Sequence, residues 1–304
     1  MKPELIIICG ATASGKSQLA LDVAKKLNTS IVYADSLAIY KDLDIGTAKP
    51  TKQEMEEVKH YLVDFVPPTS EFSVSDYEMH ALTAINEILS QNKPVVICGG
   101  TGFYINSILY KLSYGNTAKN EEVRQKYMEM ASSLGVDAVY NELQKVDSET
   151  ASKLHKNDVV RVVRALEIYY ATGKKKSHLN DTLTPRFSYI AVSIDMPRNV
   201  LYERINLRVD KMVELGLVDE VKNLIKKGIT IENQCMQGIG YKEIYEGLNG
   251  GNLDDAIETI KLNSRHYAKR QITFFKRMQG LVNISGNRQE LLDKVLELYN
   301  NYNS

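Results

Sequence analysis

Short apolar runs recur along the chain and predict the strands of a buried sheet. They lie at residues 5–9, 30–34, 94–98, 188–194 and 281–284. Most of them are continuously apolar instead of alternating, which is typical of parallel strands covered on both faces. Helical patterns separate the runs; Leu19, Val23 and Leu27, for example, recur at helical spacing after the first run. The pattern therefore predicts an α/β fold with a parallel sheet.

Between residues 115 and 186 the strand signal stops and the pattern is helical throughout. Asn157 is the expected N-cap of one of these helices, and Gly173 is its expected C-terminal stop. The strand pattern resumes at residues 188–194, so the simplest topology has the helical block inserted between two parts of one sheet. We therefore expect a core formed by residues 1–114 and 187–304 and an inserted all-helical domain at residues 115–186.

Composition places the chain among globular proteins with no strong overall charge. Its 304 residues are 43% hydrophobic, which is enough for a sizeable core. The 38 basic and 38 acidic residues cancel, but only 9 of the basic and 13 of the acidic residues lie before residue 101. The later part, with the remaining 29 basic and 25 acidic residues, is therefore where negatively charged partners are expected.

The spacing of the cysteines and the length of the apolar stretches indicate the cellular compartment. Cys9, Cys98 and Cys235 have neither the spacing of a metal site nor that of a disulfide framework. This usage favours a reducing compartment. Every apolar stretch is shorter than the roughly 20 residues that a membrane-spanning helix needs. We therefore expect a cytoplasmic protein with no membrane segment.

Residues 10–17, GATASGKS, match the pattern of a phosphate-binding loop and lie between a predicted strand and a predicted helix. The loop comprises Gly10, Ala11, Thr12, Ala13, Ser14, Gly15, Lys16 and Ser17. Its glycines let backbone amides turn toward phosphate oxygens, and the helix that begins there adds its positive end. Lys16 supplies a positive charge and Ser17 can ligate Mg²⁺. The segment predicts a polyphosphate site; the alternative is a glycine-rich turn with a solvated lysine.

Two strand ends restrict the chemistry that this loop can support. Proteins that hydrolyse nucleotides normally place an acidic Mg²⁺ partner at the end of another strand. Here the run 94–98 ends in Cys98, followed by GGTG, and the sequence has no guanine-binding NKxD motif. The carboxylate at a strand end is instead Asp35, which a parallel sheet would bring close to the phosphate loop. Asp35 could bind Mg²⁺, take a proton, or merely cap a helix beginning after Ala34.

Seven segments of the sequence carry a family resemblance. They are GATASGKS, ADSLAIYKDLDIGTAKP, ICGGTGFYINSILY, KNDVVRVVRALEIYYATGK, RINLRVDKMVELGLVDEV, QGIGYKE and AKRQITFFKR. Through them the chain resembles the bacterial-type tRNA dimethylallyltransferases, the tRNA isopentenyltransferase family, over nearly its whole length. Eukaryotic relatives append a zinc finger, whereas nothing after Arg277 has paired Cys and His, so a bacterial-type form is expected.

The resemblance implies both a fold and a reaction. The fold would be a P-loop NTPase-like parallel sheet core with the helical insertion. The reaction would transfer a dimethylallyl group from dimethylallyl diphosphate to N6 of the adenosine 3′-adjacent to the anticodon in tRNA, releasing diphosphate. The phosphate loop would then hold the diphosphate of the donor, and Mg²⁺ on Ser17 is the expected cofactor.

The resemblance also implies catalytic roles for individual residues. Asp35 would accept the N6 proton, Thr101 would bond the reacting region through its hydroxyl, and Arg208 would clamp the diphosphate. Thr101 could instead be a turn residue that holds the GGTG segment. Arg204 lies four residues before Arg208 on a predicted helix, so both would project from one face. Arg204 would either join the clamp or form a surface ion pair.

Two basic clusters, at residues 153–178 and 265–277, would hold the tRNA anticodon stem-loop around an extruded adenine. The residues expected to contact tRNA are Asp35, Ser36, Leu37, Ala38, Thr101, Val123, Val159, Val160, Arg161, Val162, Val163, Arg164, Lys269, Arg270 and Gln271. Without the resemblance, each cluster would be interpreted as a solvated charged face. Gln271 could also simply tie its helix to the core. We expect the chain to act as a monomer.

Three other functions stay open at this point. A small-molecule P-loop kinase would hold ATP in the loop, with Asp35 activating an acceptor hydroxyl. An adenylate isopentenyltransferase would prenylate free adenine nucleotides, and an RNA-binding module would have no activity. Cys98 in place of a carboxylate and the basic helical insertion argue against the kinase. The two basic clusters argue against the adenylate isopentenyltransferase.

Overall fold

The computed structural model describes residues 2–114, 120–179 and 184–302. The chain forms two compact units: Met1–Leu109 with Pro185–Ser304, called the core unit, and Tyr110–Thr184, called the helical unit. The expected start of the inserted domain, at residue 115, lies outside the described residues. No helix in the described parts of the chain is long and apolar enough to cross a membrane.

The core unit is built on a six-stranded sheet in which every pairing is parallel. Its strands are β1 (Leu5–Cys9), β2 (Ile31–Ala34), β3 (His60–Tyr61), β4 (Val95–Gly99), β5 (Tyr189–Ile194) and β6 (Leu281–Ile284), in the spatial order β3-β2-β4-β1-β5-β6. The predicted parallel sheet and its five predicted strands are confirmed. The sixth, β3, has only two half-buried residues and no apolar run, so the sequence pattern does not reveal it.

Helices fill the segments between the strands. In the core unit the first four are α1 (Lys16–Lys26), α2 (Lys52–Glu57), α3 (Val74–Leu89) and α4 (Gly102–Leu109). The helical unit contains α5 (Glu121–Leu134), α6 (Val136–Val146), α7 (Ser148–Lys153) and α8 (Val159–Thr172). The core unit then continues with α9 (Arg198–Glu214), α10 (Leu217–Lys226), α11 (Tyr241–Leu248), α12 (Leu253–Phe275) and α13 (Arg288–Asn300).

The sheet is buried along its central strands, as their unbroken apolar runs require. All residues of β1, β2 and β4 are buried. Helix α1 contributes Leu19 and Val23 to the cluster on these strands, and each such side chain stabilises the fold by ~1.5–3 kcal/mol. Helices α9 and α12 meet beside the phosphate loop, where Ala11, Ile205 and Ala268 pack together. The apolar core therefore packs against the phosphate loop.

Strand register brings three loops to one edge of the sheet. Cys9, at the end of β1, and Ala34, at the end of β2, both lie opposite Gly99 at the end of β4. The segments that follow these strands are the phosphate loop, the turn after Ala34 and the GGTG loop. Parallel strands place their carboxyl ends together, so a ligand at this edge meets all three segments.

The helical unit has a core of its own, formed by α5, α6 and α8 around Tyr127, Leu143 and Leu166. The expected N-cap of α8 is wrong by one residue: the Asp158 side chain, and not that of Asn157, accepts the Arg161 amide. The C-terminal stop is confirmed, since Gly173 follows α8 in a left-handed conformation, with φ of 68°. This position needs glycine because other residues are strained there.

Candidate active site

The phosphate loop joins β1 to α1, and its backbone takes conformations that few side chains allow. Gly10 and Gly15 have φ angles of 128° and 96°. A Cβ atom on Gly10 would lie 2.6 Å from Ser193 Oγ, too close for any other residue. Ala13 is also left-handed, with φ of 61°. The peptide groups of the loop therefore turn in the way that a phosphate cradle needs.

The start of α1 leaves hydrogen-bond donors available to an anion. No side-chain hydrogen bond caps this helix at Gly15, so the amides of its first turn have no side-chain acceptor there. The Ser14 hydroxyl is buried and has no hydrogen-bond partner among the residues that the structure describes. These donors would match the oxygens of a phosphate group.

Four cationic side chains border a cavity of about 470 Å³ in front of the loop, called the phosphate cavity. Lys16 comes from the loop, and Arg204, Arg208 and Lys211 come from α9. The Arg204 guanidinium contacts Met196 Sδ at 3.9 Å and, in the described part of the chain, pairs with no carboxylate. Among the described residues Arg204 therefore forms no surface ion pair, the alternative considered for it above.

Lys16 is held inside the loop in an environment that penalises its charge. Its side chain is buried and its Nζ donates to Ala11 O at 3.2 Å. Burial lowers the pKa of Lys16, and the nearby Arg208 also lowers it, whereas the charge of Asp35 raises it. An ammonium that has lost its water gains more from an anion than an exposed one does. The cavity is therefore tuned for a negatively charged ligand.

A second cavity, of about 370 Å³, contains Asp35 and is called the Asp35 cavity. Arg208 borders both cavities. Oδ1 of Asp35 accepts the amides of Leu37 and Ala38 at 2.9 and 3.2 Å. Oδ2 makes no hydrogen bond to any described residue, so it is available to a substrate. The helix-cap alternative is wrong, because a turn and not a helix follows β2.

The remaining wall of the Asp35 cavity combines apolar and polar side chains. Its polar members are Thr12, Ser36, Thr47, Gln234, Gln237, Ser264 and Arg270. Its apolar and aromatic members are Leu37, Tyr40, Ile205, Val209, Met212, Ile239, Ile260 and Tyr267. The Tyr40 hydroxyl is buried and lacks a partner among the described residues. Burial raises the pKa of Tyr267 to about 12, and the charge of Asp35 adds to the rise, so its hydroxyl stays protonated. Such a wall suits an organic group with one or two hydrogen-bonding positions.

Thr101 and Gln271 fasten the three loops to one another. The Ser36 amide donates to Thr101 Oγ1 at 3.1 Å, so Thr101 supports the turn that carries Asp35. Gln271 is buried on α12; its Oε1 accepts the Thr12 amide at 2.8 Å and its Nε2 donates to Gly100 O at 3.0 Å. The structure thus has Gln271 in the tying role, and its contact with tRNA stays a prediction.

Cys98 occupies the position where nucleotide hydrolases place a carboxylate. Burial raises the pKa of the Cys98 thiol to about 11, so it stays neutral. The Ser17 hydroxyl lies 3.2 Å from the Tyr33 hydroxyl. Among the described residues there is no group of three or more His, Cys, Asp or Glu side chains that could hold a metal ion. The Ser17 hydroxyl, at the start of α1, could offer an oxygen to Mg²⁺.

Two of the predicted tRNA contacts of the core unit lie on a basic groove along α12. The groove, of about 440 Å³, is lined by His266, Lys269, Arg270, Thr273, Phe274 and Arg277 and is called the α12 groove. Lys269 and Arg270 were expected here. Of the turn residues, Ser36 and Leu37 line the Asp35 cavity, whereas Ala38 is fully buried and its tRNA contact stays a prediction.

The predicted contacts of the helical unit divide by exposure. Val160 and Arg161 are exposed on α8. Val162 and Val163 are only 1% exposed and pack in the helical core, so their predicted tRNA contacts would have to be made by the backbone. The helical period explains this, because a stretch of five residues on a helix cannot face one side. Val123 and Val159 are partly buried against the same core.

Arg164 has an internal role in the helical unit. Its guanidinium donates to Glu167 Oε2 at 2.8 Å and to Tyr114 O at 3.0 Å. Glu167 is fully buried and also accepts Arg124 Nε at 2.7 Å. A buried carboxylate needs such partners. Arg164 is therefore partly committed to Glu167, and Arg161 is the more available arginine of the pair.

Sequence reasoning missed several residues that the structure brings to the site. Tyr40 and Tyr267 line the Asp35 cavity, and His266 and Phe274 line the α12 groove. The groove residues could have been found, because His266, Arg270 and Phe274 are spaced by four along one helix. The two tyrosines carry no such signal, since only the fold brings their segments together.

Comparisons with known proteins identify the family of the chain. The family model described as IPP transferase matches residues 38–278. A tRNA dimethylallyltransferase of Thermoanaerobacter sp. (strain X514) is 46% identical over 282 residues, covering 91% of this chain and 90% of that protein. A tRNA dimethylallyltransferase of Acetivibrio thermocellus is 43% identical over 297 residues, covering 96% and 95%.

Solved structures match over the same extent. The full-length tRNA isopentenylpyrophosphate transferase of Bacillus halodurans superposes with a TM-score of 0.73 at 38% identity, covering 98% of this chain and 95% of that one. A eukaryotic dimethylallyltransferase acting on tRNA gives 0.81 at 31% identity, covering 98% and 79%. The expected P-loop NTPase-like fold is confirmed. By its sequence and its fold, the chain belongs to the IPP transferase family.

Proposed function

We propose that this protein transfers a dimethylallyl group from dimethylallyl diphosphate to N6 of the adenosine 3′-adjacent to the anticodon in tRNA, with release of diphosphate. One observation carries the proposal: Arg208 borders both the cationic phosphate cavity and the partly apolar Asp35 cavity. An allylic diphosphate has the same two parts, an anionic group and a short hydrocarbon. Such a donor would place its reacting carbon near Arg208.

The phosphate cavity would promote departure of the diphosphate. As the bond between the allylic carbon and oxygen breaks, its electron pair and the negative charge pass to the diphosphate. The loop, Lys16 and Arg208 are held by hydrogen bonds before the reaction, so they would stabilise this charge without reorganising, and Arg204 would add a further positive charge. Mg²⁺ held by Ser17 and the diphosphate oxygens would supply further neutralisation, and hydroxyl and phosphate oxygens suit that ion.

Asp35 would complete the exchange on the acceptor side. The N6 nitrogen forms the new bond to the allylic carbon and loses one proton, which Oδ2 of Asp35 accepts. Because the other oxygen is fixed by the Leu37 and Ala38 amides, the carboxylate keeps its orientation. Thr101 supports this turn through the Ser36 amide. The adenine would reach the cavity by extrusion from the anticodon loop.

The α12 groove and the exposed side of α8 would hold the tRNA. Lys269, Arg270 and Arg277 offer charge to phosphates, while Phe274 offers a ring for stacking. On the helical unit, Arg161 and Val160 are the exposed members of the predicted set. Because tRNA is a cytoplasmic substrate, the protein would act in the cytoplasm, and we propose that it does so as a monomer.

A transfer assay tests the proposal directly. Radiolabelled dimethylallyl diphosphate is incubated with unmodified tRNA, and label is expected in the RNA at the adenosine beside the anticodon. The same tRNA with guanosine at that position is the control and should take no label, since guanosine has no N6 amine.

Two competing activities are measured in parallel. Excess AMP should leave labelling of tRNA unchanged, and ATP should not be consumed with small hydroxyl acceptors. Label in AMP in preference to tRNA would favour an adenylate isopentenyltransferase. Unlabelled tRNA together with ATP turnover would favour the kinase and contradict our proposal.

A further inference from the structure

The segment from residue 43 to residue 48 forms part of both cavities, although it belongs to no helix or strand. Gly46 and Thr47 line the Asp35 cavity, and Ala48 lines the phosphate cavity. The Thr47 carbonyl accepts a hydrogen bond from Nη2 of Arg208 at 3.2 Å. This segment is called the wall loop. Through the Thr47 carbonyl, its position therefore affects the position of the Arg208 guanidinium.

The wall loop is anchored by one carboxylate from α10. Oε2 of Glu220 accepts the amides of Asp44 and Ile45 at 2.9 and 2.8 Å, and Oε1 accepts the amide of Gly46 at 3.1 Å. Three consecutive peptide groups thus converge on a side chain about 175 residues further along the chain. Peptide groups outside regular structure need such partners, and bonds to an ionised acceptor are the strong ones.

Tyr241 completes the anchor and restricts the loop further. Its hydroxyl donates to Oε1 of Glu220 at 2.7 Å. Burial raises the pKa of Tyr241, and the negative charge of Glu220 raises it further, so the phenol stays protonated and donates. A Cβ atom on Gly46 would lie 2.6 Å from the Tyr241 ring, so the loop lies directly on the aromatic face. Glu220 itself lines neither cavity.

We propose that Glu220 is a positioning residue for the donor. It fixes the wall loop so that the Thr47 carbonyl holds Arg208 between the two cavities, ready for the diphosphate. The inference rests on the proposed function, since it assigns the phosphate cavity to the donor. A merely structural role would predict a general loss of stability, whereas positioning through Arg208 predicts a selective loss of diphosphate affinity.

The test is Glu220→Gln, with Asp219→Asn as the matched control. The first change keeps size but turns an amide NH₂ toward the donors of the wall loop. The second removes the same charge from the same turn of α10, where Asp219 is exposed and bonds only Lys222 among the described residues. Calorimetry measures the Kd of inorganic diphosphate, and steady-state kinetics measures the KM values of dimethylallyl diphosphate and tRNA.

For Glu220→Gln we expect about a tenfold rise in the diphosphate Kd and in the donor KM, the size expected when charge-assisted bonds are lost. The KM for tRNA should change by less than about twofold, and Asp219→Asn should behave like the parent protein. Adding Glu220→Gln to Arg208→Ala should raise the diphosphate Kd by less than about twofold, because Glu220 acts through Arg208.

Equal rises in the KM values of donor and tRNA, or additive effects with Arg208→Ala, would overturn the proposal. Tyr241→Phe covers the case in which Glu220→Gln fails to fold, because it keeps the ring on Gly46 and removes one hydrogen bond. It should raise the diphosphate Kd by about threefold, and an unchanged Kd would contradict us. Diphosphate binding is measured without transfer, so a failure of the proposed reaction is recognised separately.

Discussion

The two ends of the candidate site are built by different means. At the phosphate end, the shape comes mainly from local sequence: glycines at positive φ, a helix start and a lysine, all within residues 10–17. At the Asp35 end, the shape comes from distant residues. Thr101 lies 65 positions from Ser36, whose amide it accepts, and Glu220 lies 175 positions from Ile45. One short segment can form an anion-binding loop by itself. Orienting a proton-accepting side chain toward one substrate atom, in contrast, requires contacts from several elements.

The largest expected effect comes from Asp35→Asn, which changes chemistry at the Asp35 end while keeping its shape. The asparagine oxygen can still accept the Leu37 and Ala38 amides, but the proton-accepting oxygen becomes an NH₂ group. We expect kcat to fall by ~10²–10⁴-fold, the usual worth of a positioned base. Single-turnover transfer measures the rate, and filter binding measures the tRNA Kd.

The control for this variant is Asp42→Asn, since Asp42 has φ of 65° and asparagine tolerates that conformation. Its kcat should match that of the parent protein. Unchanged transfer by Asp35→Asn would remove Asp35 from its role and make the Asp35 end purely structural.

Lys16→Met tests the phosphate end and should rank second. It removes a buried positive charge next to the leaving group, so kcat/KM for the donor should fall by ~10²–10³-fold. Lys26→Met, on the last turn of α1, is the control. The tRNA Kd should be unaffected in both variants. Weaker tRNA binding by Lys16→Met would mean that the phosphate end also contacts tRNA.

Gln271→Ala should affect both ends together, because it removes the bridge between Thr12 and Gly100. Leaving a partly buried amide and a buried carbonyl without partners should lower the free energy of unfolding by ~1–3 kcal/mol. Urea titration measures this. Gln53→Ala, at an exposed glutamine of α2, should change the free energy by less than about 0.5 kcal/mol. Equal stability of the two variants would deny that the bridge couples the ends.

The smallest effect is expected from Arg161→Ala, which changes an exposed side chain of the helical unit. It should weaken tRNA binding a few-fold and reduce the slope of log K against log salt by about one, as loss of one phosphate contact does. Salt-titrated binding is the measurement. Lys145→Ala, at a surface lysine outside the predicted cluster, is the control, and an unchanged slope for Arg161→Ala would remove α8 from the interface.

The sequence predicted most of the strands of the sheet and the phosphate loop of the site. Continuous apolar runs identified five strands, and the spacing of glycines with Lys16 identified the loop. It did not predict β3, because two residues carry no periodic signal. Nor did it separate Val160 from Val162, since both lie in one apolar stretch and only the packing of α8 decides which is buried.

The roles of Gln271 and Glu220 could not be derived from the sequence for a different reason. Each acts through contacts with segments far away along the chain, and glutamine or glutamate on a helix usually faces solvent. Periodicity describes the element on which a residue lies, but it does not say which loop that element will meet. Side chains that support either end from a distance are therefore less predictable than the phosphate loop itself.

The bond between Gln271 and Thr12 has a consequence for biosynthesis. These residues are separated by 259 positions, and ribosomes add ~5–20 residues per second, so roughly 10–50 s pass between their emergence. During that time β1 also waits for β5, its neighbour 183 or more positions later. The nascent chain thus carries an unpaired edge of β1 until β5 leaves the ribosome, and a phosphate loop without its Gln271 hydrogen bond until α12 does. A chain truncated before residue 271 lacks the hydrogen bond from the Thr12 amide to Gln271, so its phosphate loop is left without this support.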